Sequence, residues 1–143
     1  MMGGSVPDGD HVTRLCSGSH FRPDGTLAPS AFKLRQGETY LSVNWLEHLS
    51  LGSRAAELAE VRRVLATKRA VGASARLALL NVGQMRDAVR HARAVEVFVR
   101  HEPEIRAGQP SDPSHSGIYG LVPDDVVVPE VIVGCVLDLS VAK

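Results

Sequence analysis

One segment constrains the fold of this chain more than any other. Residues 53–69 set Leu58, Val61, Val64 and Leu65 at helical spacing, with Glu57, Glu60, Arg62, Arg63 and Lys68 on the other face. Ser53 stands where an N-cap belongs, Glu57 and Glu60 come early, Lys68 and Arg69 come late, and Gly72 follows as a stop. A helix with one apolar face must bury it against a second layer. The flanking sequence supplies strands for that layer. In 40–46, Leu41, Val43 and Trp45 share one face and Tyr40, Ser42 and Asn44 the other; in 94–100, Val95, Val97 and Val99 alternate in the same way.

The rest of the chain is read around this frame. His11–Cys16 alternates loosely and predicts a first strand, and 31–35 with 40–46 predicts a hairpin or two neighbouring strands. Residues 76–82 form a short apolar run, a buried strand, and 84–93 carry Met85, Val89 and Ala92 at helical spacing. Residues 17–30 and 101–117 have loop composition. The valine-rich end could be strand; Pro129 ahead of Ile132, Val136 and Leu139 favours a helix instead. Residues 1–10 hold three Gly, one Pro and two Asp and read as a flexible tail. The expectation is a single α+β domain over 11–143, with a small mixed or mainly antiparallel sheet and helices packed on one face.

Composition excludes several classes. The chain has 143 residues, 44% of them apolar and 22% charged, which suits one globular domain. No apolar run approaches the roughly 20 residues of a membrane helix. Cys16 and Cys135 are too few for a disulfide framework. The start, Met1-Met2-Gly3-Gly4-Ser5, lacks the basic and apolar regions of a secretory signal. A cytoplasmic protein without membrane partners is expected. The formal charge is zero, but residues 54–93 carry nine basic and three acidic side chains, and 94–143 carry three basic and eight acidic. This split suits docking to a protein partner or to a second copy, and the basic block admits a nucleotide or nucleic acid.

Motifs for known chemistry are few. There is no Gly-rich dinucleotide or triphosphate loop and no Gly-x-Ser-x-Gly elbow. Six histidines include His11, Cys16 and His20 in one short stretch, yet no second ligand pair stands at ordinary zinc spacing, so no metal site is assigned. No cofactor is specified. The residues suited to chemistry are His115 and His11 as acid or base, Arg14 as a phosphate or carboxylate clamp, and Ser42 as a substrate-orienting hydroxyl. A two-histidine phosphoesterase would need His-x-Thr/Ser twice; His11-Val12-Thr13 fits, and His115-Ser116-Gly117 does not. A small ADP-ribosyltransferase-like fold would place an Arg or His on an early strand and a Ser or Tyr on the next; Arg14 and Ser42 could take these positions, with no evident closing glutamate.

Thr13-Arg14, Phe21, Ala31-Phe32-Lys33, Leu41-Ser42-Val43 and Pro113-Ser114-His115 together resemble a group of small bacterial proteins with no established activity. These share an Arg- and His-rich first strand, an Ala-Phe-basic stretch, a Leu-Ser-Val strand and a late Pro-x-His. The likeness spans roughly residues 10–120. It departs where members carry further histidines, since Leu15 and Ser17 stand there. The resemblance implies a bacterial cytoplasmic protein and points to Arg14, Ser42 and His115. It supplies no reaction.

Two readings result. The first is a small accessory or interaction protein, alone in a homo-oligomer or with a protein partner. The alternative is an enzyme or ligand-binding domain acting on a phosphate-bearing compound, a nucleotide or RNA, through an Arg/Ser/His site.

Overall fold

A computed structural model describes residues 4–105, 107, 108 and 110–143. The α+β class is as expected. Six strands form one sheet in the order β4-β5-β2-β1-β3-β6: β1 (His11–Cys16), β2 (Leu41–Trp45), β3 (Arg76–Asn81), β4 (Phe98–His101), β5 (His115–Tyr119) and β6 (Asp138–Val141). Every pairing is antiparallel. The helices are α1 (Leu46–Leu49), α2 (Arg54–Lys68), α3 (Val82–Arg93) and α4 (Val127–Val133).

Helices cover both faces rather than the expected one. The cause lies in β3. Its Leu77 packs with Leu58, Val61 and Leu65 of α2, while Ala78 and Leu80 pack with Met85 and Val89 of α3 and Ile132 of α4. A strand apolar on both faces needs cover on both.

Other segments differ from the sequence reading. Residues 31–35 do not form a strand, because Pro29–Phe32 turns as a 3-10 helix that buries Ala31 and Phe32. The stretch 101–117 is not all loop, since β5 begins at His115. The helix expected through Leu139 is shorter: α4 starts two residues before Pro129 and ends at Val133, and Leu139 lies in β6. Of the expected flexible tail, residues 4–10 are packed: Val6 is 3% exposed, its amide donates to the Val99 carbonyl, and Ser5 bridges Arg100 beside β4. Met1, Met2 and Gly3 lie outside the described residues.

Among the described residues, no helix is long and apolar enough to cross a membrane.

Candidate functional site

The site arises where two neighbouring strands part. β1 and β2 are in register only at Val12↔Trp45 and Thr13↔Asn44. Beyond that join β1 stays with β3 as far as Cys16↔Arg76, and β2 runs along β5. Arg14 lies next along β1, between the buried Val12 and Cys16. Its guanidinium spans the gap, donating from Nε to the Ala31 carbonyl at 2.5 Å and from Nη1 to the Ser42 carbonyl at 2.8 Å. Burial pulls this guanidinium below its ordinary value, partly offset by Cys16 and Glu38. An arginine starts so high that it stays charged.

Ser42 and His115 face each other across β2 and β5. The Ser42 hydroxyl lies 3.1 Å from His115 Nε2, and His115 Nδ1 lies 2.8 Å from the Glu102 carbonyl. A carbonyl only accepts, so Nδ1 carries the hydrogen and Nε2 offers its lone pair to the Ser42 hydroxyl. This arrangement makes a hydroxyl held against a base of fixed tautomer. His115 is 4% exposed and Ser42 is exposed, so the hydroxyl, and not the ring, is open to solvent.

The imidazole is fixed by the segment before it. Asp112, 1% exposed, accepts from Lys68 Nζ at 2.9 Å and from Asn44 Nδ2 at 2.8 Å. Lys68, at the end of α2, also donates to Glu104 at 2.7 Å. Burial alone would lower the Lys68 ammonium, but the bonds to Asp112 and Glu104 outweigh it and hold it above its ordinary value. Thus α2 and β2 clamp the chain that presents the Glu102 carbonyl to His115.

A cavity of about 330 Å³ opens at the parting of the strands, lined by Arg14, Ser42 and His115. Four Lys or Arg side chains line it, Arg14, Arg35, Lys68 and Arg69, against one carboxylate, Glu38. Lys68 is already paired with acids. Arg35 and Arg69 are exposed and have no ion-pair partner among the described residues. His20 also lines the cavity, and burial, with Arg14 and Arg35 nearby, lowers its pKa. The field inside favours an anion.

A row of rings runs from the dyad across the same sheet face. Tyr40 stands edge-on to His115 at 5.9 Å, Tyr40 meets Tyr119 at 5.1 Å, and Tyr119 stacks on Phe98 at 5.5 Å. Gly117 makes room for this row, because a Cβ there would collide with the Tyr40 ring. Tyr119 donates its hydroxyl to Glu102 at 2.5 Å; burial first, then that carboxylate, pushes the phenol up to about 12.

Three of the four residues singled out from sequence therefore converge. His11 does not. It sits at the other end of β1, its Nδ1 2.7 Å from Glu47, which also takes Arg54 at 3.0 Å. The two-histidine arrangement would need both rings in one cleft, and the structure does not bring them together. Arg35, Lys68 and Arg69 were not read as site residues, because a charge run on a helix or loop looks the same whether or not a cavity adjoins it. Asp112 and the Glu102 carbonyl lay in apparent loop. Among the described residues, no group of three or more His, Cys, Asp or Glu is placed to hold a metal ion.

Comparison of the chain with family models, with curated proteins and with solved structures gave no match.

Proposed function

We propose that this protein binds a nucleotide, or a closely related phosphate-bearing compound, and acts on it through Ser42 and His115. The observation carrying this reading is the meeting of Arg14, Ser42 and His115 in one cationic cavity. Arg14, Arg35 and Arg69 take the phosphate, since guanidinium forks match its oxygens. His115 Nε2 serves as base toward the Ser42 hydroxyl, or toward a substrate hydroxyl that replaces it. The ring row favours a nucleotide over a bare phosphate ester, because a base can stack on Tyr40 beside the dyad.

Titration calorimetry with a ribonucleoside 5′-monophosphate and with inorganic phosphate tests the reading. The nucleotide is expected to bind at least about tenfold tighter, one stacking contact being worth ~1–3 kcal/mol. Arg14→Met should abolish both signals, and Tyr40→Ala should remove only the difference. No binding of either probe at millimolar concentration, or full binding by Arg14→Met, would sink the reading.

A narrower form is ADP-ribosyl transfer. Arg14 on β1 and Ser42 on β2, facing one opening, favour it. On β5, Gly117 stands opposite Ser42 and His115 opposite Asn44, and neither is the glutamate such a fold would use. Release of nicotinamide from nicotinamide adenine dinucleotide would distinguish it from the general case.

A further inference from the structure

The two edges of the sheet are finished differently. Residues 4–6 run beside β4, with the Val6 amide on the Val99 carbonyl and the His101 amide on the Gly4 carbonyl. β6, at the opposite edge, has no strand beyond it among the described residues. Its side chains alternate. Asp138 and Ser140 are in register with Leu79 and Leu77, so they point to the α2 side. Leu139 and Val141 point to the other side, 38% and 55% exposed, and Leu137 just before them is 50% exposed. Beside them lies a shallow cavity of about 560 Å³ lined by Leu27, Val133 and Val136. An open edge carrying adjacent apolar side chains is a template for another strand.

We infer that β6 pairs antiparallel with β6 of a second copy across a two-fold axis, giving a dimer with one continuous sheet. Register permits a second copy as the occupant, and charge selects it. Directly opposed residues in an antiparallel pair point to the same face, so a two-fold pairing always sets odd-numbered residues against odd-numbered ones. Centring it on Ser140 puts Leu139 against Val141 of the partner, twice, and Ser140 against its own copy. Among the described residues, the Asp138 carboxylate bonds Ser140, at 3.2 Å, and the Arg62 guanidinium of α2 bonds the Val141 carbonyl, at 3.5 Å, and neither has an ion-pair partner. Both lie on the α2 side, at opposite ends of β6. The same pairing sets Asp138 opposite Ala142 of the partner, beside the partner's Arg62. At this edge, among the described residues, Asp138 and Arg62 lack ion-pair partners within one copy, and the two-fold sets each beside its opposite in the second copy. The zero net charge leaves no long-range repulsion between copies.

Specific interfaces bury roughly 1,200–2,000 Å² in total, more than two four-residue strands supply. The groove beside Leu137 must contribute, and a micromolar dimer is expected.

Sedimentation equilibrium of the full chain from about 1 to 200 μM tests this. The mass should rise from 15.3 kDa toward twice that value. Leu139→Lys should remain monomeric throughout. Asp138→Arg and Arg62→Asp should each weaken the dimer about fivefold or more, and the two together should recover most of the loss. Thermal melts of each variant separate lost association from lost folding. Recovery in the charge-swapped double variant requires the Asp138–Arg62 contact and supports the proposal. A wild-type chain that stays monomeric at 200 μM would overturn it, whatever else then covers the edge. So would a dimer that survives Leu139→Lys, or a double variant no better than the singles.

Discussion

Ser42 makes contacts through both of its polar groups. Its hydroxyl faces His115 Nε2, and its carbonyl receives Arg14 Nη1. Only the first belongs to the side chain, so the two roles can be separated. On the proposed reading with Ser42 as the reacting hydroxyl, Ser42→Ala should abolish turnover while leaving phosphate binding within about twofold, because the Arg14 contact is to backbone. Its stability should change by no more than ~1 kcal/mol, as expected for one exposed hydrogen bond. Calorimetry and urea unfolding on the same variant measure both. At this scale the sequence was partly legible. Arg, Ser and His are residue types that carry chemistry wherever they stand, and three of the four chosen meet. That Ser42 and His115 lie 73 positions apart yet touch could not be read from either neighbourhood. His11 had the better local motif and proved to be bonded to Glu47 beside Arg54.

Elements decide how firmly the dyad is held. Asp112 joins α2, β2 and the approach to β5 through Lys68 and Asn44. Asp112→Ala removes one acceptor each from the Lys68 ammonium, which keeps Glu104, and the buried Asn44 amide, which keeps Ser114, and should cost ~2 kcal/mol in urea unfolding. Activity should fall further than stability alone explains, because the Glu102 carbonyl would no longer fix His115. A second clamp joins α1 to β1. Burial would raise the Glu47 carboxyl, but bonds from His11 and Arg54 outweigh it and hold the carboxyl below its ordinary value. A carboxyl depressed on folding adds stability above its unfolded value, ~4.3, which is lost as pH falls toward the folded one. The urea midpoint should therefore drop below about pH 4.5 more steeply in the wild type than in Glu47→Gln. α2 and α3 were legible from helical spacing, β3 from its apolar run and β1 from a loose alternation, while the clean alternation of 94–100 gave a strand only over Phe98–His101. β5 was not, because a strand of His115, Ser116 and Gly117 has loop composition, and its smallness serves the Tyr40 ring. The 31–35 alternation misled because Pro29 starts a tight turn that buries Phe32 without sheet pairing.

Taken whole, the molecule depends on ends that composition alone makes look expendable. Residues 4–10 border β4 and meet α3, where Arg86 holds Asp8 at 2.8 Å. Removing residues 1–7 should cost ~2–3 kcal/mol, chiefly the buried Val6 and its strand-like bonds, and lower the melting temperature by several degrees. A melting midpoint within one degree of the full chain would contradict this. The narrow join of β1 and β2 has a further consequence. Three strands lie on either side of it, and Arg14 laces them together on the face where Val12 and Cys16 join the apolar layer shared by both halves. Such a seam behaves like a book opened at its spine. Whatever anion enters beside Arg14 touches both leaves at once, so its grip would be felt as stiffness in strands it never meets, as slowed amide exchange in β6 and β4 alike.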